Sequence, residues 1–236
     1  MKTPDSRFYC PRIDVGEFTL DENESSHAVR VCRATVGDTL QLCDGLGHFA
    51  DATIVNAAPK SCTVRIEQFE TVSMERPKLN LAIACLKDDA LEEVVFHAAQ
   101  TEIDTIYFLR TDFSQEPKNS DLHKLVRRAE LKSLVSLKQS KKPWLTRIEG
   151  PVEFDRWLDM ENGDLILCDI DGEKNAPVLD KRTTLLIGPE GGFSPREIEA
   201  VKSYSKGKTS LLNLGNTRLR ARTAAIIGLG ALVYRQ

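Results

Sequence analysis

Two hydrophobic patterns divide the chain, and the change falls near residue 75. Before it, apolar and polar positions alternate over short runs: "EFTL", "DTLQLCD", "FADATIVNA" and "SCTVRIEQFE". Runs rich in β-branched and apolar residues, bounded by turn residues, predict half-buried strands. One stretch follows a different period. In "ESSHAVRVCRA", Glu24 to Ala34, Val29 and Cys32 fall on one face and Arg30 and Arg33 on the other, which predicts a short helix. "GLGHFA", Gly45 to Ala50, loosely fits a dinucleotide fingerprint, but it lies between "TLQLCD" and "DATIVNA". It therefore reads as a hairpin turn opening at Asp44-Gly45. Residues 1–75 are expected to form a small β-barrel.

After a linker at "SMERPK", Ser73 to Lys78, strands and helices take turns. "KLNLAIACL" and "DTIYFLR" are strand-like. Between them "ALEEVVFHAAQTE", Ala90 to Glu102, spaces Leu91, Val94, Val95 and Ala98 for one helix face. "DLHKLVRRAELKSLVSLKQS", Asp121 to Ser140, predicts a long basic amphipathic helix with Leu122, Leu125, Ala129 and Leu131 inward. A short helix at "VEFDRWLDM" follows, then strands at "DLILCDI", "TTLLIG" and "KTSLLNLG" and a closing helix at "RTAAIIGLGALVYRQ". Strands alternating with helices predict an α/β domain with a mainly parallel sheet over residues 76–236.

Two loops of that domain carry the candidate chemistry. In "TTLLIGPEGGFSPREIEAVK" a buried strand ends at Gly188-Pro189 and a helix begins at Ser194-Pro195, with Glu197 completing a capping box. Ligands collect at the carboxyl ends of such strands. Neither G-x-x-x-x-G-K-[ST] nor G-x-G-x-x-G is present here, so the common phosphate motifs do not apply. The second loop follows Leu214-Gly215 in "LLNLGNTRLRARTAA" and carries Arg218, Arg220 and Arg222 with no acid nearby in sequence. If the two strands are neighbours, the loops face each other. They would then make a pocket of backbone polar groups and apolar walls suited to a nucleoside-like cofactor. The arginines would suit a phosphate-bearing substrate.

Charge supports that direction. The net charge of −3 excludes a generic nucleic-acid binder, but its distribution is uneven. Residues 1–75 hold seven Lys or Arg against twelve Asp or Glu; residues 118–147 hold nine against two; residues 202–236 hold seven against none. The two basic zones predict a directed polyanion surface or, for 118–147, a solvated lysine-rich helix face. Cys10, Cys32, Cys43, Cys62, Cys85 and Cys168 are scattered, and His27, His48, His97 and His123 lack ligand spacing, so no metal is expected. No apolar run reaches the ~18 residues of a membrane span. The start has no apolar leader core, and the expected location is cytoplasmic, with no membrane contact.

"LLIGPEGGFSPREIE" followed by "LNLGNTRLRARTAA" resembles the RsmE family of 16S ribosomal RNA uridine N3-methyltransferases, of the SPOUT class. "SRFY", "ESSHAVRVCRATVGDTLQLCDGLG" and "VRIE" extend the resemblance over nearly the whole chain. It implies a trefoil-knotted α/β SPOUT methyltransferase domain over 76–236, after a PUA-like β-barrel that binds RNA over 1–75. It implies S-adenosyl-L-methionine as cofactor, a homodimer buried at the knot, and 16S rRNA of the small ribosomal subunit as partner. Carried over by position, the cofactor falls against Leu186, Ile187, Gly188, Pro189, Glu190, Gly191 and Gly192, and against Leu214, Gly215, Asn216, Leu219, Arg220 and Thr223. RNA-facing candidates are Arg7, Arg30, Arg33, Lys141, Lys142, Arg218 and Arg222. Uridine N3 must lose its proton before it attacks a methyl sulfonium, and Arg220 is the candidate that stabilises the anionic base. Glu190 stands where it is either a base or a holder of backbone amides. No His or Cys lies in either motif, so no covalent nucleophile is expected.

The last block departs from the family's Leu-Gly-Pro-Arg-Ile-Leu-Arg-Thr-Glu-Thr-Ala. Asn216, Thr217 and Arg218 replace Pro, Arg and Ile, and Arg222 replaces Glu, a charge reversal. "HAAQTEID" likewise replaces the usual Lys-Ala-Thr-Glu-Leu-Gly. Either a partner or substrate compensates the reversal, or the scaffold serves as a weakened, RNA-binding assembly protein.

Overall fold

The computed structural model describes residues 7–86, 90–114 and 122–234 and divides into two units. The first comprises residues 1–75 together with 134–145. Its strands are β1 (Phe8–Tyr9), β2 (Gly16–Thr19), β3 (Thr39–Cys43), β4 (His48–Asn56), β5 (Thr63–Ile66) and β6 (Glu70–Thr71). They form one sheet in the order β1-β3-β4-β5-β2, with β6 also on β4. Alternation along β4 buries Ala50, Ala52 and Ile54 and exposes Asp51 and Thr53, as a sheet with one wet face requires. The turn between β3 and β4 is the expected one: Asp44 Oδ1 accepts from the amides of Leu46 and His48 at 2.7 and 3.1 Å. The expected helix is α1 (Glu22–Ser26), which runs on as a π-helical turn over His27–Val31. Ala28 is buried in the core of this unit, and Val29 and Cys32 pack against it.

The second unit, residues 76–133 and 146–236, is α/β. Its strands are β7 (Leu79–Ala84), β8 (Thr105–Arg110), β9 (Arg147–Glu153), β10 (Asp164–Glu173), β11 (Thr183–Ile187) and β12 (Thr209–Leu212). The helices are α2 (Ala90–Ala98), α3 (Leu122–Ser140), α4 (Phe154–Met160), α5 (Pro195–Lys202) and α6 (Ala221–Val233), with the last residues of α3 in the first unit. All six strands run parallel in the order β12-β10-β11-β7-β8-β9. Every residue of β7 and β11 is buried, because helices cover both faces of the central strands. One face packs Leu91, Val94 and Val95 of α2 with Ala225 and Leu229 of α6. The other packs Phe154 and Trp157 of α4 with Val201 of α5.

Two expectations change here. β11 and β12 are not neighbours, because β10 lies between them. Residue periodicity assigns strands but carries no information on their lateral order. Leu131 is 55% exposed. The inward stripe of α3 runs Leu125, Ala129, Ser133 at four-residue spacing, and a residue two beyond Ala129 points away from it. The side chain of Leu122, like residues 118–121 and Arg235 of the basic zones, lies outside the described residues. No described helix is long and apolar enough to cross a membrane.

Candidate functional site

The loops after β8, β10, β11 and β12 leave the same carboxyl end of the parallel sheet. The turn after β11 is shaped by its own backbone and by a distant strand. Gly192 N donates to Pro189 O at 2.8 Å, closing the turn. A Cβ on Gly188 would meet the backbone of Gly192 and Phe193 at 3.0 Å, so this position needs glycine for close approach. The capping box forms as expected, with Ser194 Oγ accepting from Glu197 N and Glu197 Oε2 accepting from Ser194 N. Glu197 is fully buried, and its second oxygen accepts from Asp112 N, in the loop after β8, at 2.9 Å. Ser194 Oγ donates to Asp112 at 2.5 Å. Arg196 grips Asp112 at 2.9 Å and Asp155 at 2.7 and 2.8 Å. Arg196 and Ser194 hold the Asp112 carboxyl below the usual carboxylate range. One carboxylate pair thus locks the loop after β8 to the start of α5.

The loop after β12 turns at Gly215, whose φ of +129° an L side chain rarely adopts. Asn213 fixes it from inside. Its Oδ1 accepts from Gly215 N at 2.7 Å, and its Nδ2 donates to Ile170 O, beyond Cys168 on β10, at 2.6 Å. The strand that separates β11 from β12 therefore supplies a third wall. A cavity of about 180 Å³ opens here, lined by Cys168, Asp169, Ile170, Leu214, Gly215, Leu219 and their neighbours, Arg218 and Ala224 among them. Burial, with Asp169 adding to it, pushes the Cys168 thiol up to about 12, so it stands in this wall as a neutral group and not a thiolate nucleophile.

Of the cofactor candidates, Leu214, Gly215 and Leu219 line this cavity; Asn216, Arg220 and Thr223 are exposed beside it, and Leu186 to Gly192 are not among its walls. The two loops nonetheless meet. Arg218 Nη2 donates to the carbonyl of Glu190 at 2.7 Å, so a cavity-lining arginine clasps the glycine turn. Arg220 is the N-cap residue of α6, and its carbonyl accepts from Ala224 N. Cys168, Asp169, Ile170 and Asn213 escaped sequence reasoning. The signal was available in "DLILCDI", a third strand end carrying polar residues, but nothing in the pattern placed it between the other two.

The RNA candidates separate. Arg30 and Arg33 are exposed, Arg33 with a φ of 55°. Arg7 is half-buried: its guanidinium lies 3.7 Å from the Phe49 ring centroid and donates to Lys141 O at 2.6 Å. Burial lowers its pKa. Lys141 is exposed, but Lys142 is only 8% exposed, so it does not stand on an open surface as expected. Arg222 has an acid after all: its Nη1 lies 2.6 Å from Glu93 Oε2 on α2.

A parallel sheet with a glycine turn and an arginine loop clasped at its carboxyl end belongs to a ligand-binding α/β domain. Comparison with known families makes that class specific. A family described as RNA methyltransferase domain matches residues 74–233, and one described as RNA methyltransferase PUA domain matches residues 20–67. The chain belongs to the RNA methyltransferase family. It is 28% identical over 219 residues to the ribosomal RNA small subunit methyltransferase E of Rickettsia conorii, covering 89% of this chain and 86% of that one. A methyltransferase from Legionella pneumophila, solved with its cofactor SAM, matches at 27% identity and a TM-score of 0.86 over 97% of both chains. The ribosomal RNA small subunit methyltransferase E of Neisseria gonorrhoeae shares the fold at a TM-score of 0.83, covering 96% of this chain and 95% of that one, with 18% identity.

Proposed function

We propose that this protein transfers the methyl group of S-adenosyl-L-methionine to N3 of a uridine in 16S ribosomal RNA of the small subunit. The observation that carries this reading is the clasp of Arg218 on Glu190 O, which joins the two family loops beside a cavity of the right chemistry. The residues present fit the cofactor. Ile170, Leu212, Leu214, Leu219 and Ala224 offer apolar walls, and Asp169 and Thr217 offer polar groups at the rim. At about 180 Å³ the cavity is smaller than the ~300–1,000 Å³ usual for small-ligand sites, so it takes part of the cofactor and the open glycine turn takes the rest.

When bound, the cofactor supplies an electrophilic methyl. The chain's own task is to hold the base and favour its anion. Arg220 is exposed at the N-terminus of α6, where orphan backbone amides add positive potential. It stabilises the negative charge that the uridine acquires as the N3 proton leaves. The barrel unit brings the RNA, through Arg7, Arg30 and Arg33. The segment after Cys168 lies against β12, with Asn213 N donating to Glu173 O at 2.8 Å; a SPOUT knot in this region and a homodimer built on it belong to the same reading. The protein acts in the cytoplasm. The reversed charge of Arg222 favours a weakened assembly protein by sequence; its pairing with Glu93 compensates that charge within the chain and supports the enzyme reading.

Tritiated methyl transfer to small subunits lacking the mark tests the reading. Label at one uridine N3, abolished in Arg220→Ala with cofactor binding intact, is expected. Label elsewhere, or undiminished by the substitution, would overturn it.

A further inference from the structure

We propose that Phe113 is the platform on which the target base of the RNA stacks, an inference that rests on the RNA-methyltransferase reading. Exposed single hydrophobics are ordinary on protein surfaces. Phe113 differs in how it is held and in what it faces. It is 47% exposed in the turn directly after β8, at the carboxyl end of the sheet. The turn is pinned from inside: Thr111 N donates to Ser114 Oγ at 2.8 Å, Ser114 N to Thr111 O at 3.0 Å, and Ser114 Oγ to Leu109 O at 3.3 Å. It is pinned from outside as well, since the neighbouring Asp112 is bonded by Glu197, Ser194 and Arg196.

These bonds hold the turn and its Asp112 side chain, and none of them involves the phenyl ring, which is about half exposed. The Phe113 side chain lies beside the glycine turn. A Cβ on Gly191 would lie 3.6 and 3.7 Å from its Cδ2 and Cγ, an ordinary contact distance. Gly191 and Glu190 are themselves exposed, and the carbonyl of Glu190 is held by Arg218. The exposed strip therefore runs from an aromatic ring, across a turn without side-chain bulk at Gly191, to a guanidinium. That sequence of groups fits one nucleotide: a π-face for the base, room to approach, and a cation for the phosphate. Phe113 is not a wall of the cavity after β10 and β12; the proposal assigns the base it meets to the RNA, and the cofactor Kd below separates this from an adenine lying on the glycine turn.

The test compares Phe113→Ala with Phe113→Trp in the full chain. Three quantities are read: the KM for small subunits, the Kd for S-adenosylhomocysteine, and the Kd for a single-stranded uridine-containing oligonucleotide by fluorescence anisotropy. Loss of one stacked base is expected to raise KM and oligonucleotide Kd about 10- to 100-fold in the alanine variant. The tryptophan variant should recover both, with cofactor Kd unchanged throughout. RNA affinities equal to the parent's would overturn the inference. So would an equal rise in cofactor Kd, which assigns the ring to the adenine, or a halved mass by light scattering, which assigns it to a second copy of the chain. The oligonucleotide arm reads stacking without methyl transfer. A parent enzyme that transfers no methyl therefore refutes the functional reading alone and leaves this inference to its own result.

Discussion

At the amino ends of β10 and β11, the charged network is sealed in; at the carboxyl ends of β8, β11 and β12, Glu197 is sealed but the arginines face water. Glu161, before β10, has a side chain only 1% exposed. It accepts from the amides of Asn162 and Gly163, from Thr184 Oγ1 at 3.2 Å and from Arg182 Nη2 at 3.3 Å. Arg182 also reaches Tyr107, and Asn80 donates to Thr184, so the amino end is one connected network. At the carboxyl end, Arg196, Arg218 and Arg222 are each partly in solvent and each bonded to a different partner. Buried ionic networks penalise the loss of any member heavily, because the rest stay desolvated. Exposed pairs penalise it little. The difference assigns stability to one end and leaves the other adjustable for ligands.

The largest effect should come from breaking the sealed end. Glu161→Ala removes the acceptor for four donors and leaves Arg182 without its carboxylate. A stability loss of about 3 kcal/mol is expected in urea unfolding, toward the lower end for a buried pair because Arg182 is partly exposed. Cofactor affinity of the folded fraction should not change. A loss under about 1 kcal/mol would show that the network is not what holds this end.

Arg218→Ala should reverse the pattern. It opens the clasp on Glu190 O without unsealing any buried charge. Stability should move by no more than about 0.5 kcal/mol, as for other surface positions. Cofactor Kd, measured by calorimetry, should rise about fivefold to tenfold, matching one lost charge-assisted hydrogen bond of ~1–1.5 kcal/mol. A variant that unfolds readily yet binds the cofactor normally would erase the distinction between the two ends.

Much of the local structure was legible because it rests on local rules. The capping box of Ser194 and Glu197, the Asp44-Gly45 turn and the buried strand at Leu185 to Ile187 are each written within a few residues. The site's connections are not written that way. Asp112 and Ser194 are 82 positions apart, and no periodicity marks their contact. Cys168 to Ile170 join the cavity because β10 lies between β11 and β12, which is a matter of chain topology. The charge of Lys142 reads as surface, but in the fold it is only 8% exposed.

Arg222 offers the finest test. By sequence it stands as a reversed charge beside the cofactor loop. In the fold it leaves that loop and joins α6 to α2 through Glu93, 129 positions earlier. Both side chains are about half exposed, at 43% and 50%, so the pair is worth only about 0.2–1 kcal/mol. Arg222→Glu alone, which restores the family's residue, should destabilise by about that amount because it faces Glu93 with a like charge. Arg222→Glu combined with Glu93→Arg should recover it, giving a coupling energy of the same size in a double-mutant cycle. Methyl transfer should be unchanged in both variants and in Glu93→Arg alone, the remaining corner of the cycle. If Arg222→Glu instead raised turnover with no stability change, the arginine would act on the cofactor loop, and the exposed end would prove less modular than its separate ion pairs imply.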